Sequence, residues 1–408
     1  MVSFCLRKGV ILTPLRTLME GTVIVEGDRI VAVSNKNTRP KPSCQEIDVR
    51  DLYVAPGFID LHVHGGGGHD VMEGSLEALE AIAGAHARGG TTSWLATTLT
   101  APQEQILAAL SAIEKASQLP LKGAKILGAH LEGPYFNPEQ AGAQNPAYLK
   151  LPCREEYEAI LNRFSCIKRV SVAPELPGGL KLGAELKRRG ILASIGHSNA
   201  TYQEVLAAVE AGFSHVTHIY SGMSMVRRVK AYRVAGVLEA TLLLDNLTTE
   251  MIADGHHLPP SLMRLVLKAK GTDRVCIVTD AIAPAGLGPG HYQLGGLEIV
   301  VESDVPDEYE ICPDPNSYVA KLADRTSFAG SVATMNALVR NLITLVGVPL
   351  SEAVKMATFV PARILGITSE RGLIAPGLKA DLVVFDERLN VYLTIVEGKI
   401  VYRSDRYC

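Results

Sequence analysis

The sequence lacks the features that mark exported, membrane-spanning and disulfide-bonded proteins. It has no run of about 18 apolar residues and no basic N-terminal segment followed by an apolar one, so we expect neither a membrane span nor export. Its cysteines are odd in number, scattered and never spaced as Cys-x-x-Cys, which argues against disulfides and against a thiolate metal site. We expect a cytoplasmic protein with seven reduced thiols, at Cys5, Cys44, Cys153, Cys166, Cys276, Cys312 and Cys408.

The sequence also contains few charged residues of either sign. Only 20% of the residues are charged, and 40 basic residues against 43 acidic ones leave a formal net charge of −3. This balance gives no reason to expect a nucleic-acid partner or a membrane surface, and it favours a small-molecule partner. With 47% hydrophobic residues and a single Trp, the 408-residue chain fits a large α/β core.

The two ends of the chain consist of short β-branched segments separated by turns. Residues 1–53 contain GTVIVEGDRIVAVS, and the C-terminal ADLVVFDERLNVYLTIVEGKIVYRS repeats its Val-Glu-Gly turn. We interpret residues 1–53 and 375–408 as one small β-sandwich domain formed from both chain termini. Residues 54–374 then form a second, larger domain.

The middle of the chain alternates apolar strands with amphipathic segments such as SLEALEAIAGAHARGG, PQEQILAALSAIEKASQ and TYQEVLAAVEAG. The strand candidates are GFIDLHV, TTSWLATT, KILGAHLE, RVSVAPE, ILASIGH, SHVTHIY, TEMIADG and RVCIVTD. Eight such units predict an α/β fold, a (β/α)8 TIM barrel. A doubly wound sheet is the alternative, but no GxGxxG opens a helix after the first strand. Residues 302–326 interrupt the pattern with Pro, Asp and Asn, and predict a long loop or hairpin.

Histidine and carboxylate residues recur where these strands end. The candidate strands end in His62 and His64, Glu132, His197, His218, Asp254 and His257, and Asp280. Active sites of barrels lie at the carboxyl ends of the strands. His62 and His64 are two residues apart, so they point to the same side of a strand and can reach one ion. Imidazole and carboxylate groups are suitable ligands for a divalent metal.

Each of these residues also has an ordinary structural interpretation. A single histidine at a strand end is more often hydrogen-bonded than metal-bound, and an aspartate there often caps the next helix. His215 lies three residues from His218, on the opposite face, and we assign it either to packing or to a supporting position behind the ligands. We expect one of His256 and His257 to point inward and the other outward. Asp280, on the last strand, is predicted to act as general base and general acid beside a metal-bound water.

Motifs spread over nearly the whole chain occur in a fixed order: PGFIDLHVHG, GAHLEGP, IGHSNA, THIYSGM, IADGHH, VTDA, FAGS and GLIAPGLKADLVVFD. Together they resemble the N-acetylglucosamine-6-phosphate deacetylases of the amidohydrolase superfamily. HLEGP with GHSNA is specific to this group, whereas PGFID-HxH marks the wider superfamily. The resemblance implies a hydrolase that converts N-acetyl-D-glucosamine 6-phosphate to glucosamine 6-phosphate and acetate.

The resemblance also implies a set of metal ligands. Residues that match the ligands of the main divalent ion are Glu132, His197 and His218, and those that match a second ion's HxH are His62 and His64. Gln144 stands where single-metal members carry a histidine that polarises the amide carbonyl, so we expect two ions here. Zn, Fe, Mn and Co all suit these ligands. Asp280 matches the aspartate that activates the hydrolytic water.

The implied phosphate site departs from the family pattern. The family usually reads THLFNAM followed by REPG, whereas this chain reads THIYSGMSMVRRVKAYRVAG, so Ser221 and Gly222 replace an Asn-Ala pair. His257 matches a histidine that reaches the phosphate of a neighbouring subunit, which implies a homodimer. The best positional match for the phosphate-binding arginine is Arg228, with the alternatives Arg227, Lys230 and Arg233.

Two other functions stay open from the sequence. The altered loop at 221–233 motivates an amidohydrolase that acts on N-acetylgalactosamine 6-phosphate, a cyclic amide or an isopeptide. A catalytically silent binding or regulatory relative is the third possibility. The presence of every implied ligand and of Asp280 argues against it.

Overall fold

The computed structural model describes residues 3–13, 16–35, 44–303 and 318–405, and its centre is a barrel of eight parallel strands. Each strand lies beside the next one in the chain. All eight strand predictions and the (β/α)8 architecture are confirmed. Barrel strands one to eight are Phe58–Val63, Thr91–Thr97, Lys125–Glu132, Ile167–Val172, Leu192–Ile195, His215–Val216, Thr248–Met251 and Val275–Ile277.

The barrel closes between its first strand and the segment that follows its eighth. The backbone N–H of Asp280 donates to the carbonyl of His62 at 3.0 Å, and the N–H of His64 donates to the carbonyl of Ala281 at 2.8 Å. Val63 and Ala281 form a parallel bridge at the same place. The seam of the barrel therefore runs through residues that the sequence marks as functional.

Helices cover the outside of the barrel. Within the described chain, seven α-helices lie between consecutive barrel strands and three follow the eighth; they are Leu76–Arg88, Gln103–Ser117, Arg154–Arg163, Gly179–Arg188, Tyr202–Ala211, Val237–Leu243, Pro260–Lys270, Met335–Asn341, Leu350–Ala357 and Phe359–Ile364. The three amphipathic segments quoted from the sequence are helices, as predicted. A capping box begins the helix Tyr202–Ala211. The side chain of Thr201 accepts a hydrogen bond from the backbone N–H of Glu204, and the Glu204 carboxylate accepts one from the backbone N–H of Thr201.

The two ends of the chain form one mixed sheet of eight strands, in which Tyr53–Pro56 pairs antiparallel with Leu382–Phe385. The sheet has its own buried apolar core. A small β-domain built from both termini is thus confirmed, whereas its limits at 1–53 and 375–408 stay a prediction. Its strands are Ser3–Leu12, Thr17–Glu26, Arg29–Ser34, Gln45–Asp48, Tyr53–Pro56, Leu382–Phe385, Val391–Val396 and Lys399–Arg403.

A small antiparallel sheet follows the eighth barrel strand. It consists of Gly290–Leu294, Leu297–Glu302 and Val319–Leu322. Of the loop or hairpin predicted at 302–326, residues 304–317 lie outside the described residues, and Val319–Leu322 pairs as the third strand of this sheet. Apolar side chains of the sheet pack against Leu99 and Ile282 at the barrel mouth.

The described residues show two further general features. None of their helices is long and apolar enough to cross a membrane. The described cysteines are free thiols, at Cys5, Cys44, Cys153, Cys166 and Cys276. The predicted thiols at Cys312 and Cys408 lie outside the described residues.

Candidate metal centre and active site

The carboxyl ends of four barrel strands bring the predicted metal ligands together. His62 lies in strand one and His64 directly after it, whereas Glu132 is the last residue of strand three. His197 and His218 follow strands five and six by two residues each. All five side chains are buried, and they form two groups of possible metal ligands that share Glu132: His62, His64 and Glu132, and Glu132, His197 and His218.

The ring nitrogens Nε2 converge on the Glu132 carboxylate. Its Oε1 lies 3.3 Å from Nε2 of His62, 3.3 Å from Nε2 of His218 and 3.6 Å from Nε2 of His197. Its Oε2 lies 3.2 Å from Nε2 of His64. Nε2 of His62 and Nε2 of His64 are 3.1 Å apart. Oε1 of Glu132 therefore faces three imidazoles, and Oε2 faces that of His64.

Backbone carbonyls fix the rings of His197 and His218. Nδ1 of His197 is 2.8 Å from the carbonyl of Gln140, and Nδ1 of His218 is 3.1 Å from the carbonyl of Ser221. Because a carbonyl only accepts, both Nδ1 atoms carry the proton. The lone pair of each Nε2 is then free for a metal, which is the usual arrangement of histidine ligands.

The donor set fits a divalent metal. Oε1 of Glu132 and Nδ1 of His64 are buried without a well-formed hydrogen bond, although three imidazole nitrogens lie within 3.6 Å of that oxygen. Buried polar atoms in folded proteins normally have a partner. Imidazole nitrogens and a carboxylate that point at one another satisfy this rule when they bind cations such as Zn, Fe or Mn.

Asp280 lies at the edge of this cluster. Its Oδ1 is 3.3 Å from Nε2 of His62 and 3.2 Å from Nε2 of His64. Burial raises the pKa of the Asp280 carboxyl, but the charges of these two histidines outweigh burial and lower it. Asp280 is therefore an ionised group that can accept a proton next to the metal ligands.

His62 and His64 bind protons more tightly than ordinary histidines when no metal is bound. Burial lowers the pKa of the His64 imidazole, but hydrogen bonds to Asp280 and Glu132 and their charges raise it to about 9. For His62, the Glu132, Asp280 and Glu250 carboxylates outweigh burial and raise the pKa well above its usual value. Metal binding must therefore compete with protons.

Three of the predicted functional residues have left-handed backbone conformations. The φ angles are 45° at His197, 21° at His218 and 49° at Asp280. Such conformations cost about 1–3 kcal/mol each for residues other than glycine, and they cluster at active sites. The surrounding barrel holds these side chains in place against that cost.

A cavity of about 340 Å³ opens directly onto the cluster. The predicted residues Gln144, Ser221, Gly222 and His257 line it, together with Asp280 and most of the metal ligands. The loop after the small antiparallel sheet adds residues 326–328. Among the described residues that line the cavity, none is Lys or Arg. A larger cavity, of about 780 Å³, lies near the amino ends of the strands and contains none of the predicted site residues.

Gln144 contacts a metal ligand in this structure. Its amide nitrogen donates to Oε2 of Glu132 at 2.8 Å, and its amide oxygen accepts the backbone N–H of Thr100 at 2.8 Å. These two bonds orient the Glu132 carboxylate. The contact between Gln144 and a substrate carbonyl stays a prediction.

The remaining predicted residues divide between the cavity and the surface. Nδ1 of His257 is 2.7 Å from Oδ2 of Asp254, and its ring packs on Phe328 at the cavity wall. Arg228 is exposed on a hairpin, in the strand Arg227–Val229 opposite Tyr232–Val234, and does not line the cavity. Arg227 donates to Oδ1 of Asn199 at 2.8 Å.

The sequence reasoning missed two charged residues below the metal centre. Glu250 of strand seven and Arg169 of strand four are both 0% exposed, and they are 2.5 Å apart. Nδ1 of His62 lies 2.7 Å from Oε1 of Glu250. A charged residue inside an otherwise apolar barrel strand is a usable signal, because a buried charge requires a partner. His215 hydrogen-bonds Thr248 at 2.8 Å, which agrees with a packing role.

Comparisons with known proteins identify the family of this chain. The model of the Amidohydrolase family matches residues 53–401. N-acetylgalactosamine-6-phosphate deacetylase of Escherichia coli O157:H7 is 36% identical over 85% of this chain and 87% of its own length. N-acetylglucosamine-6-phosphate deacetylase of Bacillus subtilis (strain 168) is 34% identical, with 98% of each chain covered.

Solved structures show the same fold over the full chain. N-acetylglucosamine-6-phosphate deacetylase from Pasteurella multocida is 31% identical with a TM-score of 0.88, covering 98% of this chain and 100% of its own. A mutant of the Mycobacterium smegmatis enzyme in complex with N-acetyl-D-glucosamine-6-phosphate has a TM-score of 0.86 at 31% identity, with 98% and 100% covered. With its motifs, its barrel and its metal-ligand geometry, the chain belongs to the N-acetylglucosamine-6-phosphate deacetylase family of metal-dependent amidohydrolases.

Proposed function

We propose that this enzyme hydrolyses the acetamide of N-acetyl-D-glucosamine 6-phosphate, releasing acetate and glucosamine 6-phosphate. The observation that carries the proposal is the convergence of four imidazoles and Glu132 beside the ionised Asp280, in a cavity that opens at the carboxyl end of the barrel. The curated relatives with this activity cover nearly the whole chain.

The ligand geometry supports a site for two divalent ions. His197, His218 and the Glu132 carboxylate would hold one ion, and His62, His64 and the same carboxylate the other. A divalent ion lowers the pKa of a water molecule that it binds and polarises a carbonyl oxygen. Zn, Fe, Mn and Co are all compatible with nitrogen and carboxylate ligands.

Asp280 supplies the proton transfers of the reaction. As a carboxylate beside His62 and His64 it accepts a proton from the attacking water. The oxygen of that water forms a bond to the acetamide carbon, and the C–N bond then breaks. Asp280 returns the proton to the departing nitrogen, so one water is consumed and one acetate and one amine are formed.

The described residues that line this cavity include no Lys or Arg. The phosphate of the substrate must therefore bind a basic side chain that lies outside the cavity wall. Ser221 and Gly222 line the cavity and are the proposed contacts of the substrate there. Arg228 is the proposed phosphate ligand, because it is exposed whereas Arg227 already binds Asn199. We further propose that His257 serves the phosphate across the interface of a cytoplasmic homodimer.

N-acetylgalactosamine 6-phosphate is the second candidate substrate. A relative with that name is 36% identical to this chain, and the loop at 221–233 differs from the usual family sequence. The two sugars differ only at one hydroxyl, so the chemistry at the metal centre would be unchanged. A binding protein without activity is disfavoured, because all the implied ligands and Asp280 are present and lie close together.

The deciding experiment measures acetate release by protein of known metal content. N-acetylglucosamine 6-phosphate, its galactosamine epimer and unphosphorylated N-acetylglucosamine are compared by kcat/KM. Preference for the first supports the proposal, and preference for the epimer selects the second candidate. Equal rates with and without the phosphate would reject a phosphate site, and no release from a metal-loaded protein would reject both substrates.

A further inference from the structure

Glu250 is buried directly behind one of the metal ligands. It lies in barrel strand seven and is 0% exposed. Its Oε1 is 2.7 Å from Nδ1 of His62 and also accepts the backbone N–H of His218 at 3.1 Å. One carboxylate oxygen thus contacts a proposed ligand of each ion, and it meets His62 at the ring nitrogen other than the one that lies near Glu132.

Arg169 compensates the charge of Glu250. Its guanidinium is also 0% exposed and donates to Oε2 of Glu250 at 2.5 Å. The other guanidinium nitrogens donate to Ser194 and Thr217, at 2.9 Å each. Oε2 of Glu250 thus accepts from Arg169, and Oε1 accepts from the backbone of His218, so both carboxylate oxygens act as hydrogen-bond acceptors.

The acceptor role of Glu250 determines which nitrogen of His62 carries the proton. Nδ1 must be the donor, so Nε2 presents its lone pair towards Glu132 and His64. Backbone carbonyls do the same for His197 and His218, whereas Nδ1 of His64 has no hydrogen bond. Among the four imidazoles, His62 is the one whose Nδ1 contacts a charged side chain.

We propose that Glu250 is a positioning residue that holds His62 in its metal-binding tautomer and thereby controls occupancy of the site formed by His62, His64 and Glu132. A carboxylate behind a histidine ligand fixes the ring and makes the ligand more basic. The inference rests on the proposed two-ion centre. It assigns the buried pair of Glu250 and Arg169 a role in metal binding as well as in packing.

The variant Glu250→Gln separates these roles, because it has nearly the same shape. Its amide cannot serve both neighbours: an NH2 group facing Arg169 sets donor against donor, and an NH2 group facing His62 forces Nδ1 to accept. The second arrangement puts the proton on Nε2, where it blocks metal binding. We expect the affinity of the His62 and His64 site to fall about tenfold to 100-fold.

The measurement is metal content per chain after dialysis against graded chelator, with folding checked by circular dichroism. Wild type should hold two ions and Glu250→Gln one. His215→Gln is the matched control, since Nε2 of His215 lies 3.5 Å from Oε2 of Glu250 and does not contact His62. It should keep both ions. Two ions in Glu250→Gln, or equal weakening of both sites, would overturn the proposal.

Two further measurements remove the remaining ambiguities. If Glu250→Gln does not fold, the double variant Glu250→Leu with Arg169→Met removes both charges from the core, which proteins often tolerate; it should also hold one ion, and two ions would contradict the proposal. In metal-loaded wild type labelled with ¹⁵N-histidine, Nδ1 of His62 should carry a proton, and a proton-free Nδ1 would refute the proposal without any variant.

A wild type that holds two ions but releases no acetate rejects the proposed substrate and leaves the metal-content test valid. A wild type that binds only one ion overturns the inference itself.

Discussion

Gly222 offers a sharp test of how the structure places His197. The sequence suggested a substrate contact for this residue, but its Cα lies against the ring of a metal ligand. A Cβ added at Gly222 would lie 2.8 Å from Nδ1 and 3.1 Å from Cε1 of His197, closer than real side chains approach. The backbone φ is also +55°, which favours glycine.

Gly222→Ala should therefore have two separable effects. The left-handed backbone costs about 1–2 kcal/mol of folding stability for any residue with a Cβ. The close contact should also push the His197 ring away from residue 222. This movement would disturb the hydrogen bond that Nδ1 donates to the Gln140 carbonyl at 2.8 Å. Metal–ligand distances tolerate about 0.2 Å, so displacing the ring should weaken the ion shared by His197, His218 and Glu132 about tenfold to 100-fold.

Gly347→Ala is the matched control for the backbone term. Its φ is +83°, and a Cβ there would meet nothing within 4 Å. Both variants should lose similar stability in chemical denaturation of the metal-free protein. Only Gly222→Ala should lose metal in a chelator titration followed by elemental analysis. If both variants bind metal equally well, the close approach of Gly222 to His197 does not govern the site.

Three further predictions address the base, the phosphate and the buried histidine. Asp280→Asn should lower kcat by about 100-fold to 10,000-fold while the metal content is unchanged, and a fully active variant would remove Asp280 as the base. Arg228→Ala should raise KM for the phosphorylated sugar about tenfold or more, and Arg227→Ala should act less; the reverse order would move the phosphate site to Arg227. Burial lowers the pKa of His215 from 6.5 to about 4, so the unfolded chain binds the extra proton and stability should fall by up to about 3 kcal/mol as the pH drops from 6.5 towards 4. In denaturant titrations across this range, His215→Gln should show a smaller fall, and an unchanged slope would refute the assignment.

The sequence predicted the barrel well because its strands are local patterns. Each apolar run ended in a polar residue. Because active sites of barrels lie at the carboxyl ends of the strands, these end residues predicted the position of the site. His62 and His64 were placed by the two-residue period of a strand, which needs no tertiary information. The same reasoning placed Asp280 beside them, since the eighth strand must return to the first.

Contacts between side chains of different strands and loops could not be predicted from these local patterns. Glu250 and Arg169 lie in strands seven and four, and neither strand alone indicates that the two charges meet under the metal centre. Gln144 and Gly222 were matched by position, but their contacts with Glu132 and His197 depend on side-chain and backbone approach. The left-handed backbone at His197 and His218 is equally hidden, because no residue type there signals it.

The pairing of Tyr53–Pro56 with Leu382–Phe385 has a consequence for biosynthesis. Gly57, directly before the first barrel strand, donates its backbone N–H to the carbonyl of Asp381 at 2.9 Å. The strand that carries His62 is thus anchored by a segment that the ribosome makes near the end of translation. We expect a nascent chain to complete its catalytic centre only after that segment emerges. A C-terminal truncation before Leu382 should therefore lower activity, although it removes none of the predicted metal ligands.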